Sequence, residues 1–318
     1  MKLSIVLTVY NKEQYLRRAF DALLAQEGTS GGYYEILVVN DGSTDGSSAI
    51  IEEIARENKL IRVLTQKNQG LSMARNNGVD AAQGEYVWFV DADDIISSQS
   101  VKLICEAIAS QPDVIPIYAK TEGVDIVRNA IPVDVKTGKD ILVCGRWQQC
   151  GVFWVFRKSF LEEKSLQFMP GVYHEDAEFT PRMLYAAKSI KVIPEILYVV
   201  INEPNSITNV PRPQRAIDCL IVAENLSRFV DTNGERNTAI GRVIDNSAAL
   251  VINNGFYIIL QNRKEEQKRM NDVFYEKRNL LNAALKDSLL FKYKVEALVF
   301  YLFPKHYVRI YKIMKLFR

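Results

Sequence analysis

Tyr86-Val87-Trp88-Phe89-Val90-Asp91-Ala92-Asp93-Asp94 is the stretch on which the fold turns. Five apolar residues run directly into a cluster of carboxylates. A run of this length reads as a buried strand of a mostly parallel sheet. Residues two apart on an extended segment point to the same side, so Asp91 and Asp93 can face one ligand. An Asp-x-Asp pair placed there can hold a hard divalent cation, and the cation can hold a diphosphate. Asp94 points elsewhere, to cap the following helix or to pair with a basic group. A solvated acidic loop is the plainer alternative for the cluster.

Outward from that strand, the first part of the chain alternates strand and helix. Strands are expected at Leu3–Val9, Glu35–Val39, Ile61–Thr65 and Tyr86–Val90. Between them lie helices at Lys12–Gln26, from a Ser43 or Thr44 cap to Glu57, and at Leu71–Ala82. This rhythm implies right-handed crossovers and a parallel sheet, whose ligands bind in the crevice outside the strand ends. Asp41, in Val39-Asn40-Asp41-Gly42-Ser43-Thr44-Asp45, stands at such an end. Its carboxylate can accept a hydrogen bond from the N–H of a bound base, or simply support the turn. Asn68-Gln69-Gly70-Leu71-Ser72-Met73-Ala74-Arg75-Asn76 begins as a loop and becomes a helix. Its N-terminus and Arg75 supply positive potential that suits a phosphate, although a lone Arg on a helix is commonly a surface residue.

The middle of the chain is less regular. A helix is expected over Ser98–Ser110, with strands at Asp113–Ala119, Asp125–Ala130, Ile190–Ile193 and Ile196–Ile201. Phe153–Phe156 is a short apolar run, and Ala177–Ala187 reads as a helix. From Pro211 the pattern is helical, with segments at Gln214–Val230, Glu235–Leu260 and Lys264–Leu290. The weakest boundary is the Pro/Asn/Ser-rich stretch Asn205–Pro213.

The chain has 318 residues, 48% of them hydrophobic, enough for a sizeable core. A net charge of +2 gives no reason to expect nucleic acid as a partner. The four cysteines, Cys105, Cys144, Cys150 and Cys219, form no Cys-x-x-Cys pair, which argues against zinc and a disulfide framework and for a reducing compartment. The apolar N-terminus lacks the length and cleavage site of a signal peptide and reads as a first strand. No run of about 18 apolar residues occurs, so no spanning helix is expected.

Taken together, Val6-Leu7-Thr8-Val9-Tyr10-Asn11 and the Asp41, Asn68–Asn76 and Asp91–Asp94 segments resemble glycosyltransferase family 2. The match is dense over the first third and thinner to Thr208. The resemblance implies a GT-A fold, an α/β architecture with a mostly parallel, Rossmann-like sheet flanked by helices. It places the GT-A domain at 1–210 (nucleotide-binding half 1–94, acceptor half 95–210) and a helical region at 211–318. It also implies a nucleotide-diphosphate sugar donor, with Thr8, Tyr10, Asn11, Asp41, Asn68, Arg75, Asp91 and Ala92 in its site. Asp41 would read the base, uracil in most relatives. Asp93, with Asp91, would ligate Mg2+ or Mn2+.

Val172-Tyr173-His174-Glu175-Asp176 resembles the family's Glu-Asp motif, which makes Asp176 the general base and Glu175 an acceptor-orienting residue. A carboxylate within about 3 Å of an acceptor hydroxyl can take its proton as it attacks. The same acids also suit a helix start. His174 could orient an acceptor, supply a late metal ligand or serve packing. Trp147 is the better acceptor-site candidate, and Trp154 is read as core. Asn205-Ser206-Ile207-Thr208 looks like a loop that folds over the diphosphate in relatives. The Arg or His common just before it is replaced here by Val200-Ile201-Asn202-Glu203-Pro204.

Near the C-terminus, Pro304 suits the first turn of a new helix, with Lys305, Arg309 and Lys312 on one face and Tyr307, Ile310, Met314 and Phe317 largely opposite. This resembles an interfacial helix drawn to anionic lipid; packing on the helical region is the alternative. The expected setting is therefore cytoplasmic, peripheral on the inner face of the cell membrane, with a glycan or lipid-linked acceptor of surface-polysaccharide assembly. Acceptor binding and homo-oligomer formation are further roles open to the helical region. Other enzyme classes fit less well. The first strand leads into Tyr10-Asn11-Lys12-Glu13, not a Gly-x-Gly-x-x-Gly turn, which disfavours a dinucleotide enzyme. A nucleotidylyltransferase would want a Gly-rich first loop bearing Arg. A non-catalytic scaffold that binds a nucleotide sugar remains the alternative.

Overall fold

The computed structural model describes residues 1–27, 33–202, 212–303 and 307–316. The expected loop at Asn205–Thr208, together with Pro304, Lys305 and Phe317, lies outside them, as do the side chains of Arg309 and Met314. The chain forms two compact units: Met1–Gly171 with Met183–Glu203, and Val172–Arg182 with Pro204–Arg318. The segment Val172–Arg182, read from sequence as part of the acceptor half, thus clusters with the helices.

The first unit is built on β1 (Leu3–Val9), α1 (Glu13–Leu24), β2 (Tyr34–Asn40), α2 (Ser47–Glu57), β3 (Ile61–Thr65), α3 (Leu71–Ala81) and β4 (Tyr86–Asp91). There follow β5 (Ile95–Ile96), α4 (Ser100–Ile108), β6 (Val114–Pro116), β7 (Tyr118–Thr121), β8 (Val127–Arg128), α5 (Gly138–Cys144), β9 (Trp154–Arg157) and α6 (Lys158–Glu163). The helix α7 (Glu175–Ala186), of which only the part from Met183 belongs to this unit, and the strand β10 (Ile196–Val200) come last. The main sheet runs β3-β2-β1-β4-β9-β6, with β1 to β4 parallel and β9 antiparallel to both of its neighbours. A smaller sheet runs β5-β10-β7-β8.

Every residue of β1 and β2 is buried, because helices cover both faces. Glu35, buried in β2, accepts hydrogen bonds from Ser4 Oγ (2.5 Å), Gln83 N (2.7 Å) and Arg62 Nη1 (2.6 Å), so its charge is compensated where it lies.

The irregular middle is where local patterns mislead. The expected strand over Asp113–Ala119 divides at Ile117, Asp125–Ala130 contributes only β8, and Ile190–Ile193 makes a single bridge, Ile190 to Val114. Of the apolar run Phe153–Phe156, Phe153 ends a short 3-10 turn and the rest enters β9. Ser43 and Thr44 do not cap α2, which starts four residues later; both turn instead to Asn11.

The second unit holds α8 (Pro213–Thr232), α9 (Ala239–Gln261), α10 (Lys264–Glu276), α11 (Arg278–Asp287), α12 (Phe291–Leu302) and α13 (Tyr307–Leu316). One described helix, α9, is long and apolar enough to cross a membrane, although 61% of its apolar window is buried inside the protein. Ile244, Ala248, Ile252, Phe256 and Ile259 are its fully buried face. Phe256 centres an aromatic cluster with Phe274, Phe300, Tyr307 and Tyr311 at 4.5–5.7 Å between ring centroids. Tyr311 also donates to Asn253 Oδ1 (3.0 Å), whose amide donates to the buried Glu296 (2.8 Å). The tail helix therefore spends Tyr307 and Tyr311 on internal packing, and these aromatic side chains are not presented to lipid.

Candidate functional site

In the first unit, β2 and β3 lie on one side of β1 and β4 on the other, which makes the β1/β4 boundary a topological switch point. Register brings the residues together there: Thr8 pairs with both Val39 and Asp91, and Val9 pairs with Asn40. The loops that leave these strand ends are latched to each other. Asn11, in the left-handed region at φ 53°, accepts from Thr44 N (2.7 Å), and its own N–H donates to Ser43 Oγ (3.1 Å). Lys12 N donates to Ser47 Oγ (2.9 Å), and Gly46 N to Glu13 Oε2 (2.5 Å). Thr8 is buried, whereas Tyr10 is 45% exposed.

Asp41 is buried, and both its oxygens hold the 66–70 loop: Oδ1 accepts from Gln66 Nε2 and Gln69 N (each 2.8 Å), Oδ2 from Gly70 N (2.9 Å). Its support thus goes to a distant loop, and the local turn is held instead by Asn40, whose Oδ1 accepts from Ser43 N (3.1 Å). Gly42 is required beside it. Its φ is +71°, and a Cβ would lie 2.7 Å from Asn68 N. Asn68 itself is exposed on that loop.

Arg75 is not the surface residue that a lone helical Arg usually is. Its side chain is 1% exposed, with Nη2 3.5 Å from Asp91 Oδ1. The guanidinium lies over the rings of Phe89 (5.8 Å) and Phe168 (5.2 Å). Asn76 fixes the second ring, donating to Phe168 O (2.8 Å) and accepting from Phe168 N (2.9 Å).

The Asp91–Asp94 turn divides its carboxylates among different partners. Asp91 faces Arg75, and Asp93 pairs with the Lys12 ammonium. Arg18 Nη2 donates to the Asp93 carbonyl (2.6 Å). Ala92 is buried between them. Asp94 neither caps α4 nor meets a cation: it accepts from Tyr198 OH (2.7 Å) and Ile201 N (2.8 Å). Burial, then the Asp91 charge, pushes its pKa up to about 7. Tyr198 OH in turn accepts from Asp91 N (3.2 Å), so one tyrosine organises the whole turn.

Among the described residues, no group of three or more His, Cys, Asp or Glu side chains surrounds one point. Asp91 and Asp93 supply hard oxygens of the type Mg2+ or Mn2+ takes, and each now faces a cation, Arg75 and Lys12, that an ion would have to displace or share.

Glu175 and Asp176 open α7 within the second unit. The approach to them is clamped to α8. Tyr173 N donates to Asp218 Oδ2 (2.8 Å), Gln214 Nε2 to Asp218 Oδ1 (2.7 Å), and Arg212 Nη1 to Tyr173 OH (2.9 Å). Asp218 is 1% exposed. His174 takes φ 65°, and its buried Nε2 has no hydrogen-bond partner among the described residues. Burial first, and the Arg215 charge second, lower its pKa to about 4, so it is neutral and poorly suited to hold an anion. Glu178 pairs with Arg182 one turn on (2.7 Å). Trp154 is fully buried, as expected of core, and Trp147 is half-buried with Nε1 3.4 Å from Leu142 O. A concavity lined by Pro213, Ile217, Glu265 and Arg269 contains none of the expected site residues.

Lys12, Tyr198 and Asp218 are site-shaping residues that sequence reading did not single out. Lys12 had a usable signal, directly following Asn11 at a strand end. Tyr198 and Asp218 had none, since each acts on a segment 45 or more positions away.

The family model for Glycosyl transferase family 2 matches residues 4–164. The uncharacterised glycosyltransferase EpsJ of Bacillus subtilis (strain 168) is 32% identical over 221 residues, covering 65% of this chain and 63% of EpsJ. The chain spans between 59% and 63% of the length of the first three curated relatives. Among solved structures, S. aureus TarS 1-349 in complex with UDP-GlcNAc superposes with a TM-score of 0.72 at 20% identity, over 98% of this chain and 88% of that one. The mannosyltransferase PcManGT of Pyrobaculum calidifontis, in complex with GDP-Man and Mn2+, gives 0.51 at 14% identity over 99% and 87%. These superpositions match the GT-A fold.

Proposed function

We propose that this chain, which belongs to glycosyl transferase family 2, moves a sugar from a UDP-linked donor to an acceptor hydroxyl with inversion. The carrying observation is the register of Thr8 with Asp91 at the switch point, with Asp93 two residues on in the same turn. Further support comes from TarS, whose 1-349 fragment binds UDP-GlcNAc. In this reading Thr8, Tyr10 and Asn11 border the nucleotide, and Asp41 sets the 66–70 loop against it while its carboxylate also meets the base. Asn68 and Arg75 lie near the donor, with Asp91 and Ala92 beside ribose and sugar. Asp93 and Asp91 would hold Mg2+ or Mn2+, which would supply charge neutralisation at the diphosphate.

Asp176 takes the acceptor proton while the acceptor oxygen bonds to the anomeric carbon and the bond to the diphosphate breaks. Nucleoside diphosphate leaves from the opposite face, so one displacement inverts the centre. Glu175 orients the acceptor, a glycan or lipid-linked sugar of the kind used in cell-surface polysaccharide assembly. In this reading 1–210 bears the donor chemistry, and the helical region steadies the turn that leads into the base.

Binding and turnover of UDP, GDP and dTDP sugars with Mn2+, repeated in EDTA, test the reading. The expected result is a metal-dependent UDP-sugar hit that weakens in Asp93→Ala. Asp176→Asn should keep donor binding and lose turnover by roughly 10²–10⁴-fold. Binding without turnover in the wild type, whatever acceptor is offered, would leave a nucleotide-sugar scaffold; no binding by folded protein would overturn the donor assignment.

A further inference from the structure

The helix α12 is apolar on two sides. Tyr293, Ala297 and Phe300 face inward with the buried Glu296. On the other side Phe291 is 78% exposed, Leu298 58%, Tyr301 71% and Leu302 56%. At 100° per residue these four fall within about 100° of one another, on one outer side of the helix. Exposed Lys294 lies within it, between Leu298 and Tyr301, and exposed Lys292 lies beyond its edge, about 80° from Leu302. A helix apolar all round is normally buried all round; here one side of the apolar surface faces outward in the second unit.

We infer that this outer side of α12 docks the protein on an anionic lipid surface, with the helix lying in the interface plane. Charge selects that occupant. From 288 to 318 the sequence carries seven Lys and Arg residues against one acid, Glu296, and that acid is turned inward. Exposed Lys312 on α13 adds to the basic surroundings. A second copy pairing through the same side would bring Lys292 and Lys294 of both copies together, whereas anionic headgroups complement them. Phe291, Leu298 and Leu302 would enter the acyl boundary, Tyr301 would sit at headgroup level, and the lysines would reach phosphates. The lipid-facing element is thereby α12, whereas Tyr307 and Tyr311 of the tail helix pack inside. Such docking is independent of the donor chemistry proposed above.

Sedimentation of the full chain with vesicles of phosphatidylcholine, alone or mixed with phosphatidylglycerol, tests this. Wild type should pellet with the anionic vesicles and be released by high salt. Leu298→Glu/Leu302→Glu should weaken partition at least tenfold, and Lys292→Glu/Lys294→Glu by at least about 25-fold, at roughly fivefold for each lysine charge lost. Tyr301→Trp, at an exposed site that tolerates the ring, should give a blue-shifted emission component when vesicles are added, over the three native tryptophans. It reads the same surface even if a Glu variant misfolds. Wild type remaining in the supernatant would overturn the inference, as would vesicle binding without a shift at position 301. So would a folded Leu298→Glu/Leu302→Glu variant that pellets like wild type, or light scattering showing a dimer that this variant dissolves.

Discussion

Removing the Asp218 carboxylate should loosen the turn that leads into Glu175 and Asp176. Asp218 is buried on α8 and holds Tyr173 N and Gln214 Nε2, at 2.8 and 2.7 Å. In Asp218→Ala both charge-assisted hydrogen bonds disappear. The Gln214 side chain can turn to water, so its loss is modest. The Tyr173 amide has less freedom, and leaving it without an acceptor costs about 1–3 kcal/mol. Together the two losses come to roughly 2–4 kcal/mol. Asp218→Asn keeps one carbonyl oxygen but can serve only one of the two donors, so about half that loss is expected. If the productive position of this turn is disfavoured by about 2 kcal/mol, transfer falls roughly thirtyfold, since each 1.4 kcal/mol is tenfold. Donor KM should stay unchanged, because the residues proposed to hold the donor belong to the first unit. The assays are urea unfolding and steady-state transfer kinetics. An Asp218→Ala protein with kcat within twofold of wild type and unfolding free energy within about 0.5 kcal/mol, the range of an ordinary surface change, would refute the reasoning.

Two further perturbations follow from the same geometry. Gly42→Ala forces a Cβ to within 2.7 Å of Asn68 N at φ +71°, so a loss of roughly 1–3 kcal/mol and weaker donor binding are expected, measurable by thermal unfolding with and without UDP. His174 should make the protein acid-sensitive. Its folded pKa, about 4, lies below the ordinary 6.5, so the unfolded chain takes up the proton first as pH falls. The stabilising contribution is complete above pH 6.5 and is lost toward pH 4, on the order of 3 kcal/mol in all. His174→Asn, which tolerates φ 65° and carries no titrating ring, should flatten urea-unfolding stability across that window; an unchanged slope would remove His174 from the account.

Much of the site was legible because it sits at strand ends. Apolar runs ending in Asp41 and Asp91 announced two parallel strands, and the order of strands and helices placed their ends in one crevice. What could not be read was how each carboxylate is employed. Asp41 serves a loop 25 or more residues away, Asp94 serves β10 more than 100 residues away, and Ser43 and Thr44 serve Asn11 rather than their own helix. Cap signals weigh only local partners, and here a tertiary partner won.

The sequence by itself determined the parallel α/β half, the family resemblance and the identities of the candidate acids, because a period of two or 3.6 and a fixed motif order are properties of neighbouring residues. Only the tertiary structure decided that Arg75 is buried against two aromatic rings, that the turn leading into Glu175 and Asp176 is tied to a helix beginning near residue 213, and which side of α12 is left exposed. On α12 and α13 alike, hydropathy alone allows more than one apolar side to be the inner one. Which side is buried depends on the shape and partners that Phe256 and its neighbours present, and these come from segments far away in the chain.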